Sequence, residues 1–173
     1  MYSVGHKVVH PCYGAGTIIR IQEKSIGESN HSYYVIQTVS RSMQLMVPVN
    51  RAEEVRLRAV GEPNGLREAL SICGQQPAED GIPRDLRARQ NEMRDRLKSG
   101  CFDAVADVAR TLFFMNSRRP LGTVDRQLFD QGKELLAGEL ALAAGVEVGE
   151  AMQEVERTLS QMLADAEAAE TDG

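Results

Sequence analysis

Up to about residue 58, apolar residues fall in short runs rich in β-branched and aromatic side chains; beyond it they recur at helical spacing. The first part predicts strands at 4–10, 16–23, 32–38 and 43–49, with a short fifth element at 53–57. Pro11 cannot donate to a strand ladder and ends the first run. Gly14 and Gly16 accommodate the reversal that follows. Gly27-Glu28-Ser29-Asn30 and Ser40-Arg41-Ser42 are the next two turns. Short strands with tight connections predict a small curled antiparallel sheet or partly open barrel.

Gly61-Glu62-Pro63-Asn64-Gly65 combines Pro, Gly and Asn and reads as the linker, 61–65. A short helix at 65–73 follows, then an irregular stretch from Gly74 to Pro83, with Pro83 expected in the first turn of the next helix. That helix covers 84–98 and stops at Ser99-Gly100. Another covers 102–116, with Phe102, Val105, Ala106, Ala109, Leu112 and Phe113 on one face. After a loop from Asn116 to Gly122, a helix at 123–144 carries Leu128, Leu135, Leu136, Leu140 and Leu142. The last, 149–168, has Met152, Val155, Leu159, Met162 and Leu163 as its stripe, and 169–173 reads as a frayed acidic tail. The fold class is α+β: a β-module over 1–60 and an all-helical domain over 66–168.

Composition adds the compartment. A hydrophobic fraction of 42% with 26% charged residues fits a soluble protein with a packed core. No apolar run approaches the roughly 20 residues of a membrane span, and the start lacks the charged-then-apolar pattern of a signal peptide. Cys12, Cys73 and Cys101 are an odd, widely spaced set, compatible with a reducing cytosol. A cytoplasmic monomer is the expectation.

The net charge of −5 is unevenly spread. Residues 1–58 carry seven Lys/Arg against four Asp/Glu, 59–137 twelve of each, and 138–173 one against nine. Local basic clusters set the field a phosphate meets, so DNA contact is compatible with this balance. Tight autonomous DNA binding is not.

The candidate chemistry is sparse. His6 and His10 would lie roughly 13 Å apart on one strand, too far to share a zinc ion, and Cys73 and Cys101 lack zinc spacing. Gly14-Ala15-Gly16 lacks the lysine of a P-loop and the third glycine of a dinucleotide fingerprint. The histidines all lie within the first 31 residues, no Ser or Cys sits in a nucleophile context, and the paired carboxylates sit on solvated faces. No metal, cofactor or catalytic residue is therefore assigned. The run Arg84, Arg87, Arg89, Arg94, Arg96 and Lys98 stacks pairs on one side of a helix. It reads either as a face salt-bridged by the interleaved Asp85, Glu92 and Asp95 or as a phosphate-contacting surface that Arg118, Arg119 and Arg126 extend.

Val4-Gly5-His6-Lys7-Val8-Val9-His10-Pro11, the Gly14-x-Gly16 turn, Tyr33-Tyr34-Val35-Ile36, Val47-Pro48-Val49 and Val55-Arg56-Leu57-Arg58 resemble the CarD/CdnL family of bacterial RNA polymerase-binding transcription regulators. So do Leu97-Lys98-Ser99-Gly100, Val105-Ala106-Asp107-Val108-Ala109-Arg110 and Gly138-Glu139-Leu140-Ala141-Leu142-Ala143. The resemblance implies a Tudor-like domain that docks on the polymerase β subunit, here with Lys24, Tyr34, Met46, Val47 and Pro48. It also implies a helical domain that touches promoter DNA at the upstream edge of the bubble, here with Arg84, Leu86, Arg87, Arg89, Lys98 and Arg126, and favours the open complex. Tethering lets weak, non-sequence-specific DNA contacts suffice. The alternative is a helical domain that meets another protein. Two departures stand out. The chain has no Trp, and Leu86 falls where the family keeps a wedge tryptophan. Met46 stands where a basic side chain is expected on strand four. By its position beside Pro83, Leu86 reads as a core or cap contact; by the resemblance, it is an exposed wedge.

Overall fold

A computed structural model describes residues 1–40 and 42–171. Arg41 of the Ser40-Arg41-Ser42 turn, and Asp172 and Gly173 of the tail, lie outside the described residues. Five strands, β1 (Lys7–His10), β2 (Gly14–Ile26), β3 (Ser29–Thr38), β4 (Gln44–Pro48) and β5 (Arg58–Ala59), form one antiparallel sheet in the order β4-β3-β2-β1-β5. The β2–β3 hairpin is longer than the apolar pattern foretold. Its ladder continues to Ile26 opposite Ser29, where Gly27 takes φ +64°. A β-bulge between Ile18 and Arg20 shifts the register, and β2 changes there from buried to largely exposed.

Val8, Ile18, Tyr34, Ile36, Val47, Ala52 and Leu57 form the interior of this module. Tyr2 closes it: its N–H donates to the Tyr34 hydroxyl at 3.0 Å and its own hydroxyl to the Leu57 carbonyl at 3.1 Å. The fifth element differs from expectation. Residues 53–57 form no strand: 53–56 are turns, Arg56 takes φ +60° and Leu57 N–H folds back onto the Ala52 carbonyl at 2.9 Å. Leu57 plugs the interior, and the strand that follows, Arg58–Ala59, pairs with β1.

Five α-helices follow: α1 (Pro63–Leu70), α2 (Leu86–Leu97), α3 (Phe102–Arg118), α4 (Thr123–Ala144) and α5 (Val148–Thr171). Pro63 opens α1 from within the expected linker, since a first-turn proline loses no helical hydrogen bond. The cap of α2 is Asp85, whose carboxylate accepts from Ala88 N–H at 2.8 Å, so Pro83 and Arg84 precede the helix. α3 extends past Asn116 to Arg118. α4 spans 123–144 as expected and ends on Gly145 at φ +69°. Glu167 to Thr171 are helical, not frayed.

Leu97, Ala106, Ala109, Leu112, Leu136, Leu140, Val155 and Leu159 centre the helical core. Leu163, expected in the α5 stripe, is exposed, and Met162 beside it is buried. None of the described helices is long and apolar enough to cross a membrane.

The two cores meet along α4. Glu139, with a side chain only 3% exposed, accepts from Arg58 Nη1 at 2.6 Å and Nη2 at 2.8 Å, and from Gly61 N–H at 3.1 Å. Arg58 Nε donates to the Gly100 carbonyl at 2.6 Å, and Lys7 Nζ to the Leu142 carbonyl at 2.9 Å. A Cβ on Gly138 would stand 2.7 Å from Ser40 Oγ, so helix and sheet approach through a glycine. These contacts fix the orientation of sheet relative to helices.

Candidate nucleic-acid and protein interfaces

The start of α2 carries one apolar side chain that its amphipathic pattern does not bury. Only Met93 and Leu97 of α2 are buried; Leu86 is 56% exposed. The core or cap reading of Leu86 is thereby overturned. Its side chain borders an open cleft whose other wall is Met115 of α3, Arg119, Pro120 and Leu121 of the connecting loop, and the first turn of α4. Arg84 and Arg87 flank it, both exposed and without an ion pair among the described residues. Arg126, also exposed, lies in the first turn of α4. Lys98 is exposed but follows α2 at its other end, about 17 Å along the axis from Arg87 at the helical rise. It is not part of this cluster.

Arg89, a predicted phosphate contact, points inward instead. Its side chain is 12% exposed and its Nη2 donates to Asp125 Oδ2 at 2.7 Å, while Gln90 Nε2 donates to Oδ1 at 3.1 Å. Asp125 thus ties the first turns of α2 to α4. Arg96 and Arg110 both hold Asp107 of α3, the latter at 2.6 Å. Burial pushes the Asp107 carboxyl up, but the hydrogen bonds from these two guanidinium groups outweigh it and hold its pKa below the ordinary value. The inward arginines are paired, but with Asp107 and Asp125, not with Asp85, Glu92 or Asp95. Arg118 pairs with Glu79 at 3.2 Å on the surface, which leaves Arg119 as the loop cation beside Leu86.

On the sheet, the outer edge of β4 has no neighbouring strand among the described residues. Met46 projects there, 39% exposed, opposite Val35. Pro48 is half-buried opposite Tyr33. Tyr34 and Val47, predicted as contact residues, are 1% and 5% exposed. Pairing puts them on the inner face, so they support the docking edge and do not present side chains from it. Lys24 is exposed opposite His31, two residues beyond the end of β4 along β3, so it stands apart from Met46 by about 13 Å at the strand rise. Pattern reading missed Ile19, Ile21 and Ile26, which are exposed on β2. A β-run is expected to bury one face; β1 pairs with β2 only from Gly14 to Thr17, so Ile19 and Ile21 lie beyond β1, and Ile26 also lies past the end of β4.

His6 and His10 serve local turns: His6 Nδ1 accepts from Ser3 N–H and His10 Nδ1 from Cys12 N–H, each at 3.1 Å. Burial lowers the His10 pKa. Arg58 and Glu139, which join the halves, lie inside motifs already noted in the sequence. The signal that could have found them is a glutamate interrupting the apolar run Ala137-Gly138-Glu139-Leu140-Ala141.

A family model described as CarD-like/TRCF RID domain matches residues 2–60, and one described as CarD, C-terminal domain, matches residues 70–156. Among curated proteins, the chain is 28% identical over 146 residues to "Putative transcription factor YdeB" of Bacillus subtilis (strain 168), covering 84% of this chain and 94% of that protein. With both matches falling in order on the sheet module and on the helices behind it, the chain belongs to the CarD/CdnL family of transcription regulators.

Proposed function

We propose that this protein docks on the RNA polymerase β subunit through the open edge of β4 and stabilises the promoter open complex through the start of α2. The observation that carries this reading is the exposed Leu86, set between Arg84 and Arg87, which have no ion pair among the described residues, on a helix end held by the buried Arg89–Asp125 pair. An apolar side chain among cations suits a wedge at a base step, with the arginines on phosphates. Met46 and the free ladder groups of β4 suit strand addition by a partner. The helical domain then meets DNA near the upstream edge of the bubble, weakly and without reading sequence. The protein works in the cytoplasm as a monomer held on the polymerase.

The test pairs capture of the β subunit with open-complex lifetime. Met46→Glu and Lys24→Glu are compared for β-subunit affinity. Met46→Glu is expected to weaken it strongly and Lys24→Glu less, because Lys24 lies beyond the edge. Leu86→Trp is expected to lengthen open-complex lifetime several-fold, since base–aromatic stacking is worth about 1–3 kcal/mol, and Leu86→Asp to shorten it. Unchanged lifetimes in both Leu86 variants, with polymerase binding intact, would defeat the wedge and favour a helical domain that meets protein.

A further inference from the structure

A cleft of about 160 Å³ lies between α2, α3 and the segment from Pro77 to Pro83, separate from the Leu86 cleft but sharing Arg89 with it. Cavities on the order of 150 Å³ hold a single benzene-sized molecule. Its lining interleaves apolar and basic residues: Met93 sits between Arg89 and Arg96 on one face of α2, Val108 and Arg110 come from α3, and Ile82 and Pro83 close the third side.

These guanidinium groups are incompletely used. Arg89 Nε is a buried donor with no hydrogen-bond partner among the described residues. A buried N–H left unpaired is costly, and native structures rarely tolerate one. Arg96 reaches Asp107 through Nη1 and Arg110 through Nε, so the remaining N–H groups of both have no acceptor among the described residues. Asp107 has both carboxylate oxygens engaged, and the Thr111 hydroxyl is committed to the Asp107 carbonyl at 2.8 Å. Spare donors therefore outnumber spare acceptors.

The charge ledger limits the guest. Arg89 is offset by Asp125 from outside the cleft, whereas Arg96 and Arg110 share the single carboxylate of Asp107, which leaves a surplus of one positive charge inside; Glu92, the other lining carboxylate, is exposed and screened by solvent. That surplus accommodates a single negative charge and disfavours a polyanion. A carboxylate matches the planar fork of a guanidinium, which leaves Ile82, Pro83, Met93 and Val108 for a short hydrocarbon. We propose that this cleft binds a small organic monocarboxylate bearing a short apolar or aromatic group. The occupant bridges Ile82 and Pro83 to α2, immediately behind Leu86 and Arg87. It is thereby placed to act as an effector of that helix end. The binding claim stands apart from the polymerase reading and fails or holds independently of it.

The full chain is titrated with sodium benzoate against sodium chloride of equal ionic strength, followed by ligand-observed NMR and calorimetry. One-to-one saturable binding is expected, with a Kd on the order of 1 mM. Ala78 is an exposed residue of the cleft lining, so Ala78→Trp occludes the cleft without touching the core and is expected to abolish saturation, with melting unchanged in the absence of benzoate. Arg110→Gln is expected to weaken binding about tenfold or more, the loss of a charge-assisted hydrogen bond. No saturation in the tens of millimolar, or binding unaltered in both variants, would overturn the proposal. So would inorganic phosphate binding as tightly as benzoate, since it cannot use the apolar lining residues.

Discussion

Removing one partner of the Arg58–Glu139 pair should have unequal consequences, depending on which is removed. Glu139 is the buried partner, with a 3% exposed side chain, and it accepts three hydrogen bonds. Arg58 is 34% exposed and keeps a second anchor on the Gly100 carbonyl. Arg58→Met strands a buried carboxylate with only the Gly61 N–H, and breaking a buried pair this way costs about 3–5 kcal/mol. Glu139→Gln keeps the shape and one acceptor, and the arginine left behind regains water. Discounted for that hydration, its cost is about 1–2 kcal/mol. Because the pair lies at the seam, the chain can also relieve a stranded carboxylate by separating sheet from helices. The cost of Arg58→Met is thus capped by the free energy of docking, and a split unfolding transition marks that cap. The assay is urea unfolding followed by helical circular dichroism and by tyrosine fluorescence, since the tyrosines lie in the sheet module. The double variant Arg58→Met/Glu139→Met leaves no charge behind and should be less destabilised than Arg58→Met alone. If Arg58→Met unfolds in one transition within about 1 kcal/mol of wild type, or if Glu139→Gln costs more, the assignment of Glu139 as the fixed point of the seam is wrong.

Four further outcomes follow from individual residues. The Asp107 pKa lies below its ordinary value of 3.8, so the unfolded chain binds a proton more readily there; the site's stabilisation is present above that value and lost as pH falls through the lowered one. Asp107→Asn should flatten the acid limb of stability below about pH 4, and an unchanged limb would refute the account. Burial pushes the Cys73 thiol up to about 12, whereas Cys12 and Cys101 are exposed, so native protein at pH 8 should show two fast thiols by Ellman titration and a third only on unfolding. Leu86→Trp should move stability by less than about 0.5 kcal/mol in thermal unfolding, because the side chain already faces solvent. Gly138→Val should destabilise through its clash with Ser40, and a Ser40→Ala background should recover part of the loss in the same measurement.

Local pattern was enough wherever the determinants were near in sequence. The 3.6-residue spacing of Leu128, Leu136 and Leu140 set α4, and Gly145 set its end. The β-branched runs set four of the strands, and the order of short motifs identified the family. What pattern could not supply was any feature whose partner is remote. Val55 and Leu57 carry the alternation of a strand, yet Leu57 is drawn into the sheet's interior and the pairing strand begins one residue later. Arg89 looks like its neighbours on the helix, and only Asp125, brought alongside by the packing of α4, turns it from a surface cation into an internal tie. Leu86 has the hydropathy of a core residue; that it stands in solvent follows from where α3 ends and α4 begins. Val47 is next to Met46 on β4, but the two-residue period of the strand sends Val47 inward, opposite the buried Tyr34 of β3, and Met46 outward. The sequence alone determined helix and strand periods, caps and family, because those depend on contacts a few residues apart. Tertiary structure decided which charges are neutralised and which apolar side chains remain free, because burial is a property of the surfaces that meet.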